Sequence, residues 1–253
     1  YSTPLIDNIG VFSTGKVFNG AYNEHLLEDA WTFGGNLTYY LPFGASSNTY
    51  ISFDYFKTVF SQQMVVDYER THNAIDFYAL DGRRSYTDNY QLDFSGDPFE
   101  RFNVTVTARY TDAKIELDGK GLVEKPMTSR FKGVVNLQYA ARLNRWIFDF
   151  TASVNGSCRV YNFMENMKDA DGNLLYKNGR TPVYPMLFAQ VTRRFKGVDV
   201  YVGAENLTNF TQPSPIISAN NPSAPQFDAS AIWGPLMGFK CHAGFRFTLW
   251  KKA

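Results

Sequence analysis

The sequence has few cysteines and no long apolar run. Only two of its 253 residues are cysteines, Cys158 and Cys241. Two are too few for a disulfide framework, so we expect free thiols, although a single bridge between them stays open. No stretch approaches the roughly 18 consecutive apolar residues of a membrane-spanning helix. If the chain enters a membrane, it must therefore do so as β-strands.

Charge is also scarce, and it follows no pattern that would indicate a charged partner. Charged residues make up 19% of the chain, and 25 Lys and Arg are scattered among 24 Asp and Glu. The lack of a basic stripe argues against nucleic acid as a partner. The sequence contains no nucleophile motif, phosphate-binding glycine loop or metal-ligand spacing. We therefore expect a non-enzymatic protein without a cofactor or a bound metal.

Aromatic residues, in contrast, are abundant: they form 17% of the chain and recur in alternating segments. Alternation of apolar and polar residues is typical of strands, and no segment shows a helical period. We expect a single all-β, antiparallel domain over residues 1–253, with a weaker tenth strand within 10–22. The nine clearer candidate strands are 30–41, 49–60, 86–95, 101–112, 127–140, 145–158, 184–194, 199–206 and 237–249.

The links between these strands alternate between short and long. The short links are 44–48, 95–100, 141–145 and 195–199. The long links are 61–85, 113–126, 159–183 and 207–236. This alternation places short turns at one end of a sheet and long loops at the other, as in transmembrane β-barrels.

Each candidate strand has an uncharged apolar face and a polar face. In the last strand Phe245 and Phe247 alternate with Lys240 and Arg246. In a barrel the apolar face contacts lipid and the polar face lines the lumen. A soluble β-sandwich would also keep charge out of its core, so this pattern alone leaves both folds open. Ring pairs near both ends of the apolar face fit the aromatic girdles of a barrel: Trp31 with Tyr39, Phe102 with Tyr110, and Phe131 with Tyr139.

The C-terminal segments resemble those of a known family. GAENLTNF (203–210), a loop ending in FDASAIWGPLMG (227–238), and the strand FKCHAGFRF (239–247) resemble the end of a TonB-dependent outer-membrane receptor, most closely the Bacteroidetes type. In that family an Asn-Leu pair closes the penultimate strand, which matches Asn206 and Leu207. The chain departs from the family where TLWKKA (248–253) extends past the usual terminal aromatic residue.

The resemblance implies a fold and a function. Family members have a plug domain followed by a 22-stranded barrel, and this chain has room for about ten strands and no plug. It would then be the C-terminal part of such a barrel in the bacterial outer membrane. By resemblance, the receptor binds a scarce nutrient (a ferric siderophore, haem, cobalamin or a glycan) and imports it with energy from TonB. Its partners would be outer-membrane lipids, the plug and the remaining strands, the TonB complex acting through the plug, and the nutrient.

Two groups of side chains are candidates for functional contacts. Polar-face charges could contact the plug inside the lumen, and aromatic and acidic residues of the long loops could contact the ligand. The lumen set is Asp93, Arg109, Arg130, Lys132, Asp149, Glu205, Lys240 and Arg246. The ligand set is Tyr161, Phe163, Glu165 and Trp233.

Two other interpretations remain at this point. The chain could be a self-contained ten-stranded outer-membrane barrel, either a passive pore or an omptin-like protease. The protease would need an Asp/His pair at the extracellular rim, for which His72 with Asp67 or Asp76 is the candidate. The chain could also be a soluble β-sandwich that serves as a binding module.

Overall fold

The computed structural model describes residues 17–19, 27–45, 48–69, 74–141, 143–168, 172–223, 227–229 and 232–248. These residues form thirteen strands and two short 3-10 helices, Asn162–Met164 and Lys177–Gly179. In this part of the chain no helix has the length and apolarity needed to cross a bilayer. The strands are β1 (Val17–Asn19), β2 (Asp29–Tyr40), β3 (Tyr50–Gln62), β4 (Met64–Asp67), β5 (Ala74–Ala79), β6 (Ser85–Phe99), β7 (Phe102–Leu117), β8 (Gly121–Glu124), β9 (Phe131–Ala141), β10 (Trp146–Asn155), β11 (Tyr184–Phe195), β12 (Val198–Glu205) and β13 (Lys240–Phe247).

Ten strands form one antiparallel sheet with a simple meander topology. Its order is β13-β12-β11-β10-β9-β7-β6-β3-β2, and β8 pairs with the end of β7. All nine clearer strands of the sequence analysis are present, so the all-β antiparallel prediction is confirmed. Among the described strands, β2 and β13 each pair with a single neighbour, so both edges of this sheet are open.

A short strand lies within the range predicted for the weaker tenth strand, but it belongs to a second sheet. Within 10–22 the structure describes only β1, which pairs in parallel with β5 and not with the main sheet. Strands β1, β5 and β4 form a separate three-stranded sheet. Strands β4, β5 and β8 lie inside the segments that the alternation pattern predicts as long links.

The strand register confirms the assignment of the two faces. Directly paired residues of antiparallel strands share a face, and one row runs through Val104, Leu137, Phe150, Ala189, Ala204 and Cys241. A parallel row on the opposite face runs through Asn36, Asp54, Gln91, Arg109, Lys132, Asn155 and Tyr184. Phe245 lies opposite Val200, and Phe247 opposite Val198, on the apolar face.

No protein layer covers the apolar face within the described residues. Trp31 is 74% exposed, Leu37 72% and Phe245 66%. A soluble β-sandwich would bury such a face against a second sheet. The exposure of these side chains therefore contradicts the soluble β-sandwich interpretation. It fits a face that contacts lipid.

Short turns and long connections lie at opposite ends of the sheet, as the link lengths predict. The β11–β12 turn consists of Lys196 and Gly197, and Gly197 has φ +80°, a conformation that favours glycine. The long connections carry β4, β5, β8 and both 3-10 helices.

Most of the protein core lies at the long-connection end. Of the buried apolar side chains in the described residues, all except Ile147 belong to the long connections or to the strand ends beside them. On β7 the lumen-facing positions change from polar to apolar at Ala113, and Ile115 and Leu117 follow. Ile115 and Leu117 pack with Val65 and Leu80 of the segment that contains β4 and β5. The lumen-facing side is thus polar along the wall, and it is apolar and buried where the segment with β4 and β5 covers it.

Candidate functional site

The described residues of the four long connections pack together into one assembly, which we call the platform (described residues within 61–85, 113–126, 156–183 and 207–236). One apolar cluster joins the first connection to β7 and β8 through Val65, Leu80 and Val123. A second joins the first connection to the third, where Met64 and Tyr68 meet Tyr161 and Phe163. A third cluster extends from the third connection to the last: its members are Val160, Met164, Tyr176, Met127, Tyr161, Phe163, Met167, Leu175, Ile217 and Trp233.

A buried ion pair fastens two of these connections. The two guanidinium nitrogens of Arg159 each donate to one carboxylate oxygen of Glu69, both at 2.9 Å. The Glu69 side chain is 1% exposed and also accepts from the Asn162 backbone N–H at 3.0 Å. Lys120 Nζ lies 3.5 Å from the same carboxylate. Glu69 therefore connects three of the four segments.

A second ion cluster lies between β8, β9 and the third connection. Arg180 donates twice to the Glu124 carboxylate, at 2.9 and 3.0 Å, and Arg130 approaches it at 2.7 Å. Burial works against the charged carboxylate, but the hydrogen bonds and charge of Arg180, together with Arg130, outweigh it and lower the pKa of Glu124. Because the folded-state pKa is lowered, this stabilisation is present at neutral pH. It is lost only as the pH falls through that lowered value.

Aromatic rings anchor the last connection to the end of β11. Phe210 stacks on Tyr184 with ring centroids 4.7 Å apart, and Trp233 lies 5.7 Å from Tyr184. The Trp233 indole N–H donates to the Tyr176 hydroxyl at 3.2 Å. The Gln212 side-chain oxygen accepts from the Trp233 backbone N–H at 2.8 Å. Trp233 thus holds the last connection against the rest of the platform.

We expect Trp233→Ala to loosen the last connection while the wall stays folded. Removing a packed Trp costs about 3–5 kcal/mol in a core, and half-buried Trp233 should fall at the low end. Limited proteolysis should then cut within 207–236 faster than in the wild type. Leu236→Ala is the matched control because Leu236 is 53% exposed on the same segment. Equal cleavage of the two variants would contradict this anchoring role.

The platform encloses a cavity of about 440 Å³ at the extended ends of β3 and β7. Most of its lining residues are apolar or aromatic, and the charged ones are Glu28, Asp67, Glu69 and Lys125. Burial, followed by the charge of Asp228, raises the pKa of Tyr68 to about 12, so this lining tyrosine is neutral at physiological pH. The lining residues are Glu28, Phe60, Gln63, Met64, Val65, Val66, Asp67, Tyr68, Glu69, Ile115, Leu117, Lys125, Pro126 and Tyr161.

All four residues of the predicted ligand set lie on the platform. Tyr161 lines the cavity and stacks on Phe163 at 5.5 Å. Burial raises the pKa of Tyr161, so its hydroxyl stays protonated. Glu165 is exposed, and Trp233 packs 6.3 Å from the Tyr176 ring. The apolar packing of Tyr161 and Phe163 against Met64 and Tyr68 is not indicated by the sequence pattern, and the short apolar run of β4 is its one local signal.

The predicted lumen set divides into paired and unpaired charges. Asp93 accepts from the Gln91 amide at 2.8 Å, and Asp149 from the Gln138 amide at 2.8 Å. Lys240 pairs with Glu205 at 3.2 Å, and Arg130 pairs with Glu124. Within the described residues, Arg109, Lys132 and Arg246 have no ion-pair partner within 4.0 Å. Arg246 nevertheless lies directly opposite Asp199.

Both cysteines are free thiols, as expected from the sequence. Cys158 is buried and its backbone N–H donates to the Thr181 hydroxyl at 3.0 Å. Burial raises the pKa of the Cys158 thiol, which makes it a poor nucleophile. Cys241 lies on the exposed apolar face.

The structure describes the two aspartates of the candidate protease pair but not the histidine. Asp67 and Asp76 lie directly opposite each other on β4 and β5, and both are buried. Asp67 accepts from the Tyr78 hydroxyl at 3.0 Å. His72 lies outside the described residues, so the proposed Asp/His geometry stays a prediction.

The uncovered apolar face, the polar opposite face and the sorted turns define the class of fold: an antiparallel wall of a transmembrane β-barrel. Solved structures of iron receptors share this fold. The ferric enterobactin receptor PfeA of Pseudomonas aeruginosa matches with a TM-score of 0.58 and 12% identity, over 92% of this chain and 33% of its own. The ferric citrate transporter FecA matches with a TM-score of 0.57 and 16% identity, over 85% and 31%.

The FrpB iron transporter from Neisseria meningitidis matches with a TM-score of 0.56 and 12% identity, over 91% of this chain and 32% of its own. The chain thus spans about a third of the length of these solved chains. At these identities the likeness concerns the fold. No family model and no curated protein matches the sequence.

Proposed function

We propose that this chain is part of a TonB-dependent receptor of the bacterial outer membrane, of the Bacteroidetes type, that binds and imports a scarce nutrient. The observation that carries the proposal is the in-register sheet from β2 to β13, with an exposed apolar face, a polar face and every long connection at one end. A lipid-facing band and an aqueous lumen require this arrangement. The similarity to iron receptors and transporters supports import as the role.

Open edges support assembly into a larger barrel. β2 and β13 each have one free edge among the described strands, and every unpaired backbone group in hydrocarbon costs several kcal/mol. A self-contained ten-stranded barrel would pair these two edges with each other. The remaining strands and the plug of the same receptor are therefore the partners we propose, with TonB acting through the plug. Residues 1–253 would form one continuous barrel portion.

The platform is the proposed site of nutrient capture. Its cavity is mainly apolar and aromatic with a few charged groups, as ligand pockets usually are. Tyr161 lines it, and Phe163, Glu165 and Trp233 lie on the same assembly. The proposed nutrients are a ferric siderophore, haem, cobalamin or a glycan, and the solved iron receptors of this fold favour a ferric chelate.

Deleting the gene that encodes this chain tests the proposal. We expect the deletion strain to grow like the parent in rich medium and more slowly when iron is limiting and supplied as a chelate too large for passive pores. Complementation should restore growth, and the protein should be found in the outer-membrane fraction. It should also show heat-modifiable migration on gels, as intact barrels do.

Two results would contradict the proposal. Recovery of the protein from the soluble fraction without detergent would exclude the membrane assignment. Normal growth of the deletion strain on iron chelates, haem, cobalamin and complex glycans as limiting nutrients would exclude an import role.

A further inference from the structure

Two cations face each other on the lumen-facing wall. Arg109 of β7 is directly paired with Lys132 of β9, and both side chains are exposed. Side chains at such positions have Cβ atoms about 4.5–5.5 Å apart, and like charges placed there are destabilising. A sheet keeps such a pair at a cost unless a negative group lies between or over the two cations.

The described residues do not supply that negative group. The in-register neighbours on either side are neutral, Gln91 beside Arg109 and Asn155 beside Lys132. Asp93 lies on β6, two residues beyond Gln91 on the same face. It accepts hydrogen bonds from Thr107 and Gln91. Asp54 lies on β3, beyond Gln91, and accepts from Asn36 at 2.7 Å.

Two other lumen-facing cations of the wall have carboxylate partners. Arg130 approaches Glu124 at 2.7 Å, and Lys240 approaches Glu205 at 3.2 Å. Arg109 and Lys132 differ from these two cations, and they also differ from Arg246 because each lies directly opposite another cation. At Arg109 and Lys132 no carboxylate of the described residues lies within 4.0 Å of either cation.

Arg109 and Lys132 lie at the platform end of the wall. Arg109 and Lys132 are adjacent in sequence to Tyr110 and Phe131, which pair on the opposite face. Their row continues through Asn155 to Tyr184, the residue on which Phe210 stacks. An anion that entered the lumen from the platform would meet this row.

We propose that Arg109 and Lys132 form a binding site for an oxyanion, a carboxylate or phosphate-like group. The planar guanidinium of Arg109 suits two parallel hydrogen bonds to such a group, and the Lys132 ammonium adds a point charge. The inference rests on the proposed function, because the row must face an enclosed lumen. The oxyanion has two possible sources: a free anionic nutrient, or a carboxylate side chain of the receptor's plug.

The test uses the complete receptor in detergent, with the double variant Arg109→Gln/Lys132→Gln. Its matched control is Arg246→Gln, an exposed arginine of the same face that lies opposite Asp199. Thermal unfolding midpoints are measured in sodium citrate and in sodium chloride at equal ionic strength. A ligand that binds only the folded state raises the midpoint.

If the site takes a free anion, citrate should raise the midpoint of the wild type and the control by several degrees and leave the double variant unchanged. If it takes a plug carboxylate, citrate should have no effect, and the double variant alone should unfold several degrees lower in chloride. A double variant that is as stable as the wild type, in a receptor that ignores citrate, would overturn the site. Outer-membrane location and heat-modifiability of the same preparations show separately whether the proposed function holds.

Discussion

Leu137→Arg is expected to abolish assembly of the proposed outer-membrane barrel. Leu137 lies in the apolar row between Val104 and Phe150, on the face that none of the described residues covers. An arginine on the lipid face costs about 2–4 kcal/mol near the bilayer midplane. Heat-modifiability on gels should show no folded species for this variant.

The control for Leu137→Arg is the same substitution one residue away. Asn136 faces the lumen, where its amide donates to the Thr151 hydroxyl at 2.8 Å. Asn136→Arg loses that hydrogen bond, worth about 0.5–1.5 kcal/mol, but keeps its charge in water. We expect a folded, heat-modifiable barrel. If Asn136→Arg fails and Leu137→Arg assembles, the two faces have been assigned the wrong way round.

Arg159→Gln is expected to destabilise the platform without affecting the wall. The substitution removes the guanidinium that donates two hydrogen bonds to the Glu69 carboxylate, which is 1% exposed. Removing one member of a buried ion pair costs about 3–5 kcal/mol. Hydrogen exchange should show faster exchange of backbone amides in 61–69 and 156–168, and unchanged rates in the middle of β9 and β10.

Two further variants separate the ion pair from a general effect of mutation. Arg83→Gln breaks an exposed pair with Asp118 at 3.4 Å, and exposed pairs contribute about 0–1 kcal/mol. It should leave the exchange rates nearly unchanged. The double variant Glu69→Leu/Arg159→Met removes both charges and should regain most of the protection, because no unpaired charge stays buried. Equal exchange in Arg159→Gln and Arg83→Gln would show that the Glu69–Arg159 pair does not hold the platform.

Much of the wall could be predicted because a two-residue period carries the information about each strand. Phe245 and Phe247 alternate with Lys240 and Arg246 in the sequence, and the register keeps the two rings on one face. The sorted link lengths also predicted which end of the sheet carries the long connections. These features are local, since each depends on neighbours within one strand or one turn.

The candidate site was less predictable because its contacts join distant segments. Glu69 and Arg159 lie 90 residues apart and have no shared periodicity. Strands β4 and β5 are short, and their apolar residues gain a partner only when they fold over Ile115 and Leu117. The predicted ligand residue Tyr161 packs against a different cluster that contains Met64 and Tyr68, and no loop composition indicates this contact.

The sequence by itself determined the all-β antiparallel class, the positions of nine strands and the two faces of the wall. These follow from side chains that alternate across each strand and from the length of each link. Only the tertiary structure decided that the long connections form one packed platform, and that Arg109 and Lys132 face each other with no counter-charge from the described residues. The reason is that the pairing of different strands sets which charges become neighbours. That pairing cannot be deduced from the sequence of any single strand.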